Sequence, residues 1–146
     1  MDLINRILHA ITELHPLHPM LVHFPIGLTG GGALFILLAV IYKNKVLEQA
    51  AFANIALASL GTLVAGLAGM RDNALNYEGD APNAGAKIVL ASVLLIITAA
   101  TAWLRWRNPD LFENRAARPF YVAAYFVSFG LALILAFLGG VILYGF

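Results

Sequence analysis

Four stretches of this chain carry no formal charge, and they constrain the fold more than any other feature. Residues 20–42, 50–70, 88–104 and 120–146 contain no Asp, Glu, Lys or Arg. A helix crossing the hydrocarbon core needs about 20 apolar residues, and it must satisfy its backbone polar groups within itself. The third stretch is the shortest. It reaches spanning length by taking in residues 84–87, with the Lys87 ammonium snorkelling to the interface. The predicted spans are therefore 20–42, 50–70, 84–104 and 120–143. Composition agrees, since only 12% of the residues are charged, about half the share usual in soluble domains. The chain reads as a multi-pass membrane protein in contact with the lipid bilayer.

The links between spans are short, and short links favour antiparallel neighbours. The expected architecture is all-α: one domain over 1–146, an up-down four-helix bundle preceded by an N-terminal amphipathic helix over 1–14. In that helix Leu3, Ile4, Ile7, Leu8, Ile11 and Leu14 recur at helical spacing, with Asp2, Asn5, Arg6, His9 and Glu13 on the other side. Such a segment lies in the membrane interface or caps the bundle. It opens on an acid and lacks a basic region, unlike a cleaved signal peptide. Six cations (Lys43, Lys45, Arg105, Arg107, Arg115, Arg118) fall in the first and third links; Arg6, Arg71 and Lys87 fall on the other side. The positive-inside rule places the six in the cytoplasm and both termini outside, which for a bacterial inner membrane is the periplasm.

Several functions are excluded. A net charge of +1 with scattered basic residues offers nucleic acid no footprint. Without cysteine there is no disulfide, thiolate metal site or cysteine nucleophile. No lysine lies deep in a span, no carboxylate is expected in a span core, and no phosphate loop or activated serine is present. No catalytic residue is assigned, and the sequence leaves turnover undecided.

What remains is a histidine cluster at the entrance to the first span, His15-Pro-Leu-His-Pro-Met-Leu-Val-His-Phe-Pro-Ile-Gly-Leu28. His15 and His18 each precede a proline, which disfavours the α region and predicts an extended or turning segment. Pro25 predicts a kink beside His23, with Thr29 placed to bond the loosened turn. Gly27 and Gly30 leave a smooth strip below His23, suited to close helix packing or to a flat ring. Asp72, at the end of the second span, shares a small-residue face with Ala68, Ala65 and Gly61 and can approach the histidines there. It could ligate a metal or orient an imidazole. Two readings follow. In one, His18, His23 and His15, with Asp72, hold haem b or a transition metal ion. In the other, the histidines cap the first helix. The spacing matches no strong zinc signature, and because all four histidines lie on the N-terminal side, bis-histidine ligation from opposite helices within one chain is excluded.

The pattern His15-Pro-x-His-Pro-x-x-Val-His-Phe-Pro-Ile26, followed by Gly69-x-x-Asp72, resembles the signature of a family of small bacterial inner-membrane proteins of unknown function with four spans. Relatives of this kind occur alone or joined to redox domains such as Rieske-type modules, so the resemblance implies an electron-transfer setting and a redox or membrane-complex partner. The family often carries a further histidine near the start of the third span, where this chain reads Asn83-Ala-Gly-Ala-Lys87. The alternative function is a non-catalytic structural or assembly subunit of a larger membrane complex. Glycine-rich spans also suit a homodimer.

Overall fold

The computed structural model describes residues 2–9, 17–79 and 81–144. Six helices follow in order: α1 (Leu3–His9), α2 (His18–Leu21), α3 (His23–Tyr42), α4 (Lys45–Asn76), α5 (Ala84–Arg107) and α6 (Arg118–Tyr144). Among the described residues there is no strand. Four stretches are long and apolar enough to cross a membrane, namely His18–Tyr42, Lys45–Asn76, Ala84–Arg107 and Arg118–Val141. α3 packs against α4 and α6, and α5 packs against the same two. This is the expected four-helix bundle.

The hydrogen-bond ladder of the first span is interrupted beside the prolines, although Val22 keeps right-handed helical dihedrals (φ −65°, ψ −22°). α2 and α3 meet at Val22, one residue beyond Leu21. Pro25 has no N–H to return to the Leu21 carbonyl, so the ladder loses a rung there. One turn on, Thr29 donates its hydroxyl back to the Pro25 and Ile26 carbonyls, at 2.7 and 3.1 Å, a bond that leaves the Leu21 carbonyl unrepaired and favours a bend. His18 departs from the expectation: it opens a helix instead of standing in an extended segment. A contact with α4, described below, offsets the local bias against the α region.

The charge-free stretches mark only the middles of α4 and α5. α4 has 32 residues, about 48 Å at 1.5 Å per residue, against roughly 30 Å of hydrocarbon. It takes in most of what the sequence assigns to the flanking links. Only Lys43 and Asn44 separate α3 from α4. Lys43 adopts the left-handed conformation (φ 50°), the Asn44 N–H closes onto the Ala39 carbonyl, and the Asn44 side chain caps α4 by accepting from the Val46 and Leu47 N–H groups. At the other end Asn73 ties the next turn, donating to the Gly79 carbonyl and accepting from the Ala81 N–H. Between α5 and α6 the chain folds back so that Phe112 is buried against the bundle end.

Small residues line the helix seams. On α4 the buried stripe is Glu48, Ala51, Ile55, Ala58, Thr62, Ala65, Ala68 and Asp72. Its steps are all three or four residues, close to the repeat of a left-handed helical seam. Large side chains point outward, with Leu57, Leu60 and Leu67 each more than half exposed. That inversion is what a lipid solvent selects, since it offers no hydrophobic reason to bury them. In α1, Leu3, Ile4 and Ile7 are likewise exposed. Ile11 and Leu14 lie outside the described residues.

Candidate functional site

The histidine end is built on a clasp between His18 and α4. The His18 main-chain N–H donates to Asp72 Oδ2 at 2.8 Å, and the His18 ring bonds the Ala65 carbonyl through Nδ1 at 2.8 Å. A carbonyl can only accept, so Nδ1 carries the proton, and in the neutral ring Nε2 keeps its lone pair. Asp72 is buried, and its other oxygen takes Arg71 Nη1 at 3.0 Å.

Gly69 makes the clasp sterically feasible. A Cβ at this position would lie 2.9 Å from His18 Nδ1 and 3.0 Å from Cε1. The ring therefore rests directly on the α4 backbone, in space that any larger residue would fill. Gly69 and Asp72 act together: one admits the ring and the other holds the start of α2. Asp72 reaches His18 through the main chain, whereas the sequence suggested the imidazole. Both Asp72 oxygens are engaged.

The remaining site candidates are dispersed. His23 is exposed at the start of α3. Below it, Gly27 faces open space, whereas a Cβ at Gly30 would meet the Phe129 ring of α6 at 3.1 Å. The smooth strip is thus open for one turn and then closed by an aromatic ring. Among the described residues no three His, Asp or Glu side chains cluster as a metal site would require. His15 lies outside the described residues. A closed, multi-ligand ion site made with Asp72 does not fit this arrangement. A group needing one or two imidazole nitrogens does, because His18 Nε2 has no partner among the described residues.

A model of one protein family, described as "Predicted membrane protein (DUF2231)", matches residues 14–146. The chain belongs to this family. No curated protein and no solved structure matches it. The family description establishes a membrane protein and assigns no activity, so for this DUF2231 chain the chemistry rests on its own residues.

A second polar cluster, at the opposite end of the bundle, went unread in the sequence. Glu48 is fully buried on α4. Arg105 of α5 grips it with both arms, Nε to Oε1 at 2.6 Å and Nη2 to Oε2 at 2.8 Å. The Tyr121 hydroxyl of α6 donates to Oε1 at 2.8 Å and meets the Tyr125 hydroxyl at 2.8 Å. The Arg105 guanidinium also stands over the Phe52 ring. Glu48 lies in the first turn of α4, outside the charge-free stretch 50–70, so a carboxylate is buried within the bundle near a helix end. Glu48 and Arg105 looked like loop charges because a hydropathy reading ends a span at the first charge. Their signal was positional, since Glu48 continues the small-residue stripe of α4. The cluster joins three helices, and the fixed bidentate pair gives it the character of a lock, not of a proton path.

Proposed function

We propose that this protein presents the His18 imidazole as a fixed ligand at the outer end of a bacterial inner-membrane bundle. His23 and His15 stand as the companion donors, and the bound group is haem b or a transition metal ion in an electron-transfer setting. The supporting observation is the Nδ1–H bond to the Ala65 carbonyl. It sets the tautomer and aim of the ring and leaves Nε2 as the donor, the second-shell arrangement typical of ligating histidines. Gly27, with open space beside it, supplies a flat approach near His23. A haem or transition ion there would supply one-electron chemistry. The protein's own part is to hold the ring, with Asp72 acting through the main chain.

In this reading both termini face the periplasm, with the basic links cytoplasmic. The test is an absorption spectrum, oxidised and reduced, with metal analysis on the same detergent-purified sample. A Soret band or stoichiometric metal, lost in His18→Ala but kept in His9→Ala, supports the proposal. Protein that stays colourless and metal-free when expressed with excess haem and metal overturns it. A second reading, a non-catalytic assembly subunit, draws on the same clasp, because the contacts of His18 and Asp72 among the described residues already serve to join α2 to α4. It predicts co-purification with a larger membrane complex, lost in His18→Ala, and no cofactor.

A further inference from the structure

We infer that the end of the bundle opposite His18 holds a binding cleft for the phosphate headgroup of an anionic phospholipid. A cleft of about 190 Å³ opens there, lined by Val40, Lys43, Lys45, Phe112, Glu113 and Arg118. The cations in it are unequally committed. Lys45 is neutralised by Glu113 at 2.8 Å, with Asp110 at 3.8 Å. Lys43 and Arg118 have no carboxylate partner among the described residues; Arg118 stands only over the Phe112 ring, 6.0 Å from its centroid. Two uncompensated positive charges therefore share one concavity with an apolar floor of Val40 and Phe112.

Its surroundings select a lipid over a free anion. Lys43 follows the last residue of α3, and Arg118 is the first of α6, so the cleft sits where spans end. Tyr42, Trp103, Trp106 and Phe120, all more than half exposed, ring this end as interfacial aromatics do. Apart from the mutually paired Glu48 and Arg105, five cations stand here against Asp110 and Glu113. Basic pockets between span ends attract lipid headgroups by this combination of fixed charge and an apolar floor. The cleft is remote from the histidine clasp, so the two assignments stand or fall separately.

The test is native mass spectrometry of the full chain released from bilayer discs of dioleoyl phosphatidylglycerol mixed with dioleoyl phosphatidylcholine. The wild type is expected to retain phosphatidylglycerol over phosphatidylcholine by about tenfold. Lys43→Gly with Arg118→Gln should abolish the preference, whereas Arg6→Gln with Lys87→Gln, which removes two charges elsewhere, should leave it intact. Equal retention of the two lipids by the wild type overturns the inference, as does a preference that survives the cleft variant. Full displacement of the lipid by millimolar inorganic phosphate also overturns it, in favour of a simple anion site. Should the double variant fail to fold, Lys43→Gly alone, which suits the left-handed backbone there, must still lower the preference.

Discussion

Substituting Gly69 tests the clasp more directly than substituting either partner. In the middle of a helix Gly→Ala normally stabilises by about 1 kcal/mol, because alanine has less backbone freedom to lose. Gly66 lies three residues away on the same helix, with nothing within 4 Å of an added Cβ, and should show that ordinary gain. At Gly69 the added carbon would stand 2.9 Å from His18 Nδ1. The ring cannot simply swing aside, because that atom is bonded to the Ala65 carbonyl and the residue's N–H to Asp72. Losing the ring bond costs about 1 kcal/mol, and forcing a close-packed contact apart costs roughly 1–3 kcal/mol. Set against the helix gain, Gly69→Ala should destabilise by about 1–3 kcal/mol. It should melt several degrees below Gly66→Ala, at about 2–4 °C per kcal/mol for a chain of this size. The assay is thermal unfolding in one detergent, followed by helical circular dichroism, with limited proteolysis ahead of residue 18 as the local readout. If both variants melt higher by equal amounts with unchanged proteolysis, the His18 ring does not rest on α4 and the reasoning fails.

Other perturbations follow from the same contacts. Arg105→Ala strands a fully buried carboxylate and should cost about 3–5 kcal/mol, whereas Glu48→Met with Arg105→Met should recover most of that loss; a double-variant cycle of melting temperatures decides it, and additive losses would contradict a paired cluster. Asp72→Asn keeps an oxygen for the His18 N–H and should be mild, whereas Asp72→Ala should lose about 1–2 kcal/mol and expose the start of α2 to protease. Lys43→Gly relieves the left-handed turn between α3 and α4 and should raise stability by about 0.5–1 kcal/mol, read as a higher unfolding midpoint in the same detergent.

The bundle was legible because lipid writes its demand as an unbroken apolar run, and the runs need no partner to be recognised. Pro25 and Thr29 were readable for a related reason, since the missing N–H and the hydroxyl that bonds back to the same turn both lie within one turn of chain. The clasp was half legible. Gly69 and Asp72 were visible as a spacing, and His18 as a histidine before proline. That Asp72 takes the main chain of His18, 54 positions away, while Gly69 receives the ring, depends on the azimuth of α4, which no local rule supplies. Glu48 and Arg105 were lost to the opposite bias: a charge near the end of a run is taken for a loop, although a bidentate pair cancels both signs and carries them indoors. His15 lies outside the described residues, so its part in the ligand set rests on the sequence and the proposal alone.

The stripe on α4 begins and ends on an acid, Glu48 at one end and Asp72 at the other, and each is met by a partner from a different helix. Between them lies a seam rich in alanine, which would accept many rotational settings with little preference. The two acids therefore act as a key cut at both ends. Inserting one residue anywhere between them turns everything beyond by about 100°, so one acid can find its partner only if the other is swung into lipid. The length of α4 between positions 48 and 72 should accordingly tolerate no single insertion or deletion.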